Sequence, residues 1–402
     1  MPEKTLIHCM NVVSAHLVVC TQDLRSHIID ILHEPAMSGV CLCLNLGFFP
    51  EGDETPVNEA DKDRLIPVRA EDLASVTFDT SRPRPKRTIK DVGVLLYTSG
   101  TTGNPKAVST KNMHMIIVST PASRDVNNAK RFLNPLRIYS CLPVFHGTCL
   151  YTALCYAVGN SGCFCLGRRF SASTFSQSLV ESKATRMLYV GELCRYLLKA
   201  PPSPYDRAHN CKVAAGNGMQ GDVWIKFKNR FGIEEIREFY RSTEGIAKFD
   251  NFGPGDIMAG KVGFAGPLAR TLENITYIVK YDPNTEEPYR DPKTGFCVEA
   301  KMGEPGEAIG RVLNMDTYPE YLNNPKANQE KMIGSVFKKG DLFQRTGDLL
   351  IRENDGWVRF GDRTGDTFRW QGENVSAGEV RDHIARLPNV HDVVVYGTKL
   401  EA

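Results

Sequence analysis

Tyr97-Thr98-Ser99-Gly100-Thr101-Thr102-Gly103-Asn104-Pro105-Lys106 is the stretch on which the reading of this chain turns. Just upstream, Asp91-Val92-Gly93-Val94-Leu95-Leu96 reads as a short buried strand. The run therefore starts at the carboxyl end of a strand, where open α/β sheets place their ligands. From Thr98 to Gly103, four hydroxyl side chains and two glycines fill six positions, and Lys106 follows. Glycine lets backbone N–H groups approach an anion with no Cβ in the way, the hydroxyls add donors, and the lysine adds charge. The combination suits a polyphosphate. The spacing is not that of the common mononucleotide loop, in which a Gly and four residues precede Gly-Lys-Ser/Thr, because here Asn104-Pro105 precedes the lysine. Ser/Thr/Gly clusters are usually surface loops, but the length and order of this one favour the phosphate reading.

Outward from the loop, the pattern is that of a layered α/β protein. Residues 5–33 read as helix, strand, helix, a βα unit already in progress. Residues 112–120 read as a helix, and 139–147 as a strand ending in a turn at His146. Residues 150–236 alternate apolar strands with helical stretches, which predicts a parallel or mixed sheet. Residues 270–345 are β-rich and punctuated by Gly and Pro, which predicts a smaller, barrel-like sheet. The Asp355-Gly356 pair predicts a hairpin turn.

Composition narrows the function classes. A chain of 402 residues, 42% hydrophobic and 24% charged, can bury a large core and hold two or three subdomains. A net charge of +2, with no basic stripe interleaved with aromatics, speaks against nucleic acid as a partner. Twelve cysteines are spread through a sequence with no secretory pattern at its head, so all are expected to be reduced and structural. Cys41 with Cys43, and Cys163 with Cys165, have the two-residue spacing that puts both thiols on one face of a strand. No apolar run reaches the roughly 18–20 residues needed to span a bilayer. The nearest, 6–20, contains His8, Asn11, Ser14 and His16. The basic segment Arg82-Pro83-Arg84-Pro85-Lys86-Arg87 is read as a solvated linker in preference to a membrane-surface contact. An intracellular protein is expected, cytoplasmic or peripheral on a lipid-bearing membrane.

Three later segments carry chemistry. Ala214-Ala215-Gly216-Asn217-Gly218-Met219 is a strand end opening into a turn, whose glycines permit close backbone approach to a flat group; on spacing alone, a plain turn is the simpler reading. In Glu238-Phe239-Tyr240-Arg241-Ser242-Thr243-Glu244-Gly245, Tyr240 can stack on a base, Thr243 can donate to a phosphate, and Glu244 can hold Mg²⁺ beside phosphate oxygens. In Arg345-Thr346-Gly347-Asp348, the carboxylate can accept both ribose hydroxyls, although an Asp in a turn more often caps its own backbone. A lone His in the position of His146 is usually structural.

These segments resemble the fatty acid transport protein and very-long-chain acyl-CoA synthetase branch of the adenylate-forming, or AMP-binding, family. The resemblance extends over about residues 6–396. It is carried by the phosphate loop; Val190-Gly191-Glu192-Leu193-Cys194-Arg195-Tyr196-Leu197; Ser203-Pro204-Tyr205-Asp206-Arg207-Ala208-His209; Gly216-Asn217-Gly218; the 239–245 run; Arg345-Thr346-Gly347-Asp348; and Asp366-Thr367-Phe368-Arg369-Trp370 with Gly372-Glu373-Asn374-Val375. It implies a two-step reaction: a fatty acid carboxylate attacks the α-phosphate of Mg·ATP to give acyl-adenylate, and the thiol of coenzyme A then displaces AMP. By resemblance, Thr98, Ser99, Gly100, Thr101, Thr102, Gly103 and Lys106 cradle the departing phosphates. Thr243 and Glu244 serve the α-phosphate and Mg²⁺. Tyr240, Gly216, Asn217 and Gly218 meet the adenine, and Asp348 with Arg363 meets the ribose. His146, Gly191 and Gly218 line the acyl entrance. Gly365 is the hinge, and Gly372 lies on the loop that receives the pantetheine arm.

The same resemblance divides the chain into an adenylation domain over 1–363 and the start of a small α+β domain over 364–402. Three departures accompany it. Arg241 stands where this branch carries a small residue. The family's late lysine has no counterpart before Ala402, and the first strands of the family's N-terminal subdomain are absent. A chain that binds ATP but adenylates poorly is therefore expected. The competing reading is a catalytically reduced nucleotide- or lipid-binding remnant of such an enzyme.

Overall fold

The computed structural model describes residues 3–21, 24–32, 34–45, 63–68, 81, 86–98, 104–120, 135–252, 255–364, 367–370, 373–384, 387, 390 and 393–396. The chain forms two compact units, one comprising Met1–Thr110 with Glu320–Pro325, the other Lys111–Pro319 with Lys326–Ala402.

In the first unit, helix α1 (Glu3–Val12) leads into β1 (Leu17–Thr21), then α2 (Arg25–Leu32) and β2 (Cys41–Asn45). Strands β1, β2 and β3 (Leu65–Val68) pair in parallel, so the predicted βα unit is present. Ile28, Ile31 and Leu32 recur at helical spacing on α2 and are buried, Ile28 and Leu32 in one core with Cys20 and Leu42 from the sheet, Ile31 against Met10 and Met37. A second sheet of three strands holds β4 (Val92–Thr98), β5 (Lys106–Lys111) and the short strand Glu320–Tyr321. Strand β5 was not anticipated. Ala107, Val108, Ser109 and Thr110 are all buried, so neither face shows the alternation by which strands are recognised. The stretch read as a phosphate loop thus falls in sequence between two neighbouring strands of one small sheet, not after a strand of the parallel sheet.

In the second unit, α3 (Asn112–Ser119) precedes a six-stranded sheet built from β6 (Arg137–Ser140), β7 (Cys163–Leu166), β8 (Arg186–Val190), β9 (Val213–Asn217), β10 (Glu235–Tyr240) and β11 (Phe249–Asn251). Its order is β11-β10-β9-β8-β6-β7. All pairs are parallel except β10 with β11. The crossovers are helical: α4 (Phe175–Glu181), α5 (Gly191–Lys199) and α6 (Gly221–Phe231). On α6, Val223, Trp224, Phe227 and Phe231 form the buried stripe, and Gly232 ends the helix at φ +67° with its N–H on the Lys228 carbonyl. Tyr189, Leu193, Leu197 and Trp224 meet in the core between helices and sheet. Cys163 and Cys165 do share a strand face, with Sγ atoms 3.7 Å apart. All described cysteine side chains are free thiols.

A second, antiparallel sheet comprises β12 (Gly263–Phe264), β13 (Thr276–Asp282), β14 (Glu287–Pro288), β15 (Pro305–Arg311), β16 (Met332–Gly334), β17 (Leu342–Arg352) and β18 (Trp357–Arg363). Its path runs β12-β18-β17-β15-β13-β14, with β16 beside β17. This is the smaller sheet that the Gly and Pro punctuation predicted as barrel-like; among the described residues its pairing runs as an open path. The Asp355-Gly356 hairpin is present between β17 and β18, with Gly356 at φ +85°. One irregularity matters for function. Glu307 pairs with Leu349 and Ile309 with Arg345, so Thr346, Gly347 and Asp348 together face only Ala308. That bulge coincides with the Arg345-Thr346-Gly347-Asp348 motif.

Candidate functional site

Because β6, β8, β9 and β10 run parallel, their carboxyl ends share one edge of the sheet. The edge presents, in strand order from β10 to β6, the 240–244 segment, Gly216-Asn217-Gly218, Gly191 and the turn at His146. His146 is exposed, stacks against Phe145 at 4.8 Å between ring centroids, and donates its backbone N–H to the Pro143 carbonyl.

The glycines of this edge are dictated by packing. A Cβ on Gly191 would collide with the carbonyl oxygen of Gly218, and one on Gly216 with the carbonyl of Tyr189. Gly218 also sits at φ +80°, which favours glycine. Beneath this turn lies Glu238, 2% exposed, which accepts the backbone N–H of Gly218 and of Met219 and the hydroxyl of Tyr189. Burial pushes its carboxyl up to about 8, against the opposing pull of those hydrogen bonds.

Two residues along the same strand face, Tyr240 donates its hydroxyl to Asp348 Oδ2 at 2.7 Å. The Tyr240 ring is buried near Phe249. Asp348 is aimed by the bulge. Gly347 takes φ +77° and gives its N–H to the fully buried Glu307, which Arg345 pairs at 3.0 Å. Arg363 lies across from Asp348 in the ladder, its Nε 3.9 Å from Oδ1. Burial raises the Asp348 carboxyl, while the Tyr240 hydrogen bond, Arg363 and Lys331 pull it down. Lys331 Nζ stands 3.7 Å from Glu244 Oε1. Gln344 ties the intervening turn down: it donates to the Glu244 carbonyl at 2.8 Å and accepts the Ile246 N–H at 2.8 Å. Thr243 is half-buried in that turn. Arg241, unusual by resemblance, is held by Asp250 on β11 at 2.6 Å.

In the first unit, Thr98 ends β4 and Lys106 begins β5, with Nζ 5.3 Å from the centroid of the Tyr321 ring. His8 Nε2 lies 3.1 Å from the Pro105 carbonyl. Ser99, Gly100, Thr101, Thr102 and Gly103, the predicted hinge Gly365, the predicted pantetheine-loop Gly372 and the basic 82–85 segment lie outside the described residues.

The second unit therefore joins Gly191 to Gly218, and Tyr240 to Asp348, Arg363 and, through Lys331, Glu244. Sequence reasoning missed Glu238, Glu307, Gln344 and Lys331. The first three had a usable signal, being polar residues inside strands otherwise fit for burial. Asn217 Oδ1 is buried and accepts no hydrogen bond among the described residues, so it suits an N–H donor such as the amino group of a nucleobase. Glu244 offers one carboxylate of the kind Mg²⁺ takes beside phosphate oxygens; among the described residues no group of three His, Cys, Asp or Glu side chains could hold a metal by itself.

Residues 1–307 match the family model described as AMP-binding enzyme. The chain belongs to the AMP-binding enzyme family. Over 397 residues, this AMP-binding chain is 34% identical to the very long-chain fatty acid transport protein of Cochliobolus heterostrophus, covering 98% of itself and 58% of that protein. Over 312 residues it is 35% identical to the medium/long-chain-fatty-acid–CoA ligase FadD6 of Mycobacterium tuberculosis, covering 77% of itself and 50% of the ligase. ATP-bound MatB from Rhodopseudomonas palustris shares the fold at a TM-score of 0.71 and 21% identity, over 99% of this chain and 69% of MatB. The chain thus spans 50–58% of the length of these two curated relatives. No helix among the described residues is long and apolar enough to cross a membrane.

Proposed function

We propose that this chain carries the adenylating machinery of an AMP-forming fatty acid–CoA ligase acting on a long or very long acid. The observation that carries the reading is the joining of Tyr240, Asp348, Lys331 and Glu244 at the carboxyl edge of a parallel sheet, in a chain of the AMP-binding family. The relatives' names supply the fatty acid and coenzyme A.

In this reading a fatty acid carboxylate oxygen bonds to the α-phosphorus of ATP as the bond to pyrophosphate breaks, and the CoA sulfur then takes the acyl group as AMP leaves. The protein's part is positioning and charge neutralisation. Asp348 accepts from the ribose hydroxyls, with Arg363 beside it. Asn217 accepts from the adenine amino group, over the Gly216 and Gly218 backbone and against Tyr240. Thr243 donates to the α-phosphate, and Thr98, Ser99, Gly100, Thr101, Thr102, Gly103 and Lys106 hold the departing phosphates. Glu244 would hold Mg²⁺, which when bound neutralises triphosphate charge. His146, Gly191 and Gly218 frame the acid's entry, Gly365 serves as hinge, and Gly372 meets the pantetheine arm. Residues 1–363 form the adenylation domain and 364–402 the start of a small C-terminal domain. A lipid substrate favours a cytoplasmic place or one on the periphery of a membrane.

The test is pyrophosphate exchange into ATP by the 402-residue chain, with fatty acids from palmitate to lignocerate. Exchange that depends on the acid but is slow, as the sequence reading expects, is the predicted result. Nucleotide binding with no exchange for any acid would leave the non-catalytic remnant as the better account, and absence of nucleotide binding would sink both.

A further inference from the structure

Lys331 is fixed at its root and slack at its tip. Its carbonyl oxygen accepts the Arg345 N–H at 2.8 Å, which locks its backbone beside the bulge that carries Asp348. Its ammonium, by contrast, has only long partners among the described residues: the Thr346 carbonyl at 3.4 Å and Glu244 Oε1 at 3.7 Å. A charge-assisted N–H···O bond is ordinarily about 2.7–2.9 Å. Lys228 with Asp256 reaches 2.7 Å elsewhere in the molecule. The Lys331 and Glu244 side chains are 29% and 15% exposed, so the pair is shielded enough for its charge to count. An ammonium with three donors and two stretched contacts is poised to exchange partners, and its charge acts on both carboxylates assigned above to metal and ribose.

We propose that Lys331 is the standing counter-ion of Glu244 and that, when nucleotide arrives, it turns from that carboxylate to a phosphate oxygen. The lysine then has two opposite effects. It attracts the triphosphate directly, and it competes with Mg²⁺ for Glu244. This rests on the nucleotide-binding reading, and the experiment separates the two.

Calorimetric titration of the 402-residue chain with ATP is made without metal, and again at fixed ATP with increasing Mg²⁺, for the wild type, Lys331→Met and Lys331→Arg. In Lys331→Met, metal-free ATP affinity should fall about tenfold, as expected for one charged hydrogen bond. The Mg²⁺ concentration giving half-maximal binding should fall several-fold, because the Lys331 ammonium no longer competes for Glu244. Lys331→Arg should stay near wild type in metal-free affinity. Metal-free affinity unchanged in Lys331→Met, or a Mg²⁺ requirement that does not drop, overturns the proposal while leaving the nucleotide site standing. A wild type that binds no ATP under either condition overturns the underlying reading and this one with it. Should Lys331→Met not fold, Lys331→Gln carries the same expectations.

Discussion

Glu238 is a carboxyl that the strand around it should not tolerate. All six residues of β10 are buried, and this one carries an acid whose burial outweighs three hydrogen bonds. Its proton is held tighter in the native state, up to about 8, than in the unfolded chain, near 4.3. Between those values the native state binds more protons, so this group's contribution to stability declines as pH rises through that window and is constant below it. Gln at this position keeps an acceptor for the Gly218 N–H and offers an N–H to the Tyr189 oxygen in place of accepting its hydroxyl. The stability of wild type relative to Glu238→Gln, measured by denaturant unfolding at a series of pH values, should therefore fall from pH 4.5 to 8. A flat difference would mean that Glu238 is ionised throughout. Asp348 is also raised by burial, but it is common to both proteins and cancels in the comparison.

At the level of elements, two strand-to-helix junctions meet without side chains. The carbonyl of Gly218 occupies the space where a Cβ of residue 191 would stand, and both partners are backbone. Gly191→Ala therefore has nothing flexible to push aside and should cost about 3 kcal/mol or more. Gly218→Ala meets open space, its nearest neighbour being the Gly191 nitrogen at 3.8 Å, and should cost only the left-handed backbone penalty of about 1–2 kcal/mol. Urea unfolding of the two variants ranks them; equal costs would refute the packing account. The same elements show what was legible in advance. The parallel strands and helices of 150–236 were readable because short continuous apolar runs alternate with stretches of helical spacing, and Tyr240 and Asp348 were readable as motif residues. Strand β5 was not, because its buried polar Ser109 and Thr110 mask any alternation. Nor was the bulge, since an excess of residues in one strand exists only relative to its partner. The 203–209 segment, readable as a family run, proves to be a brace: Asp206 accepts from Ser176 on α4 at 2.8 Å and from Arg230 on α6 at 3.0 Å.

For the whole molecule, a ligand that binds only the folded state stabilises it by mass action, about 2.7 kcal/mol at a hundred times its dissociation constant. Mg·ATP near that level should raise the thermal midpoint by a few degrees. Because the chain has two compact units, the transition is followed by circular dichroism and tyrosine fluorescence together. Asp348→Ala removes the ribose acceptor and the partner of Tyr240, and should abolish most of that rise. An undiminished rise would place the ribose elsewhere.

The direction of Asp348 is stored neither in its own rotamer nor in a loop, but in a mismatch of length between β15 and β17, with Glu307 as the clamp. Grafting this nucleotide grip onto another scaffold would accordingly require two strands transplanted as a matched cassette, 305–311 together with 342–352. The four-residue motif moved alone would straighten into ordinary ladder, leaving its carboxylate aimed at whichever face the new register assigns.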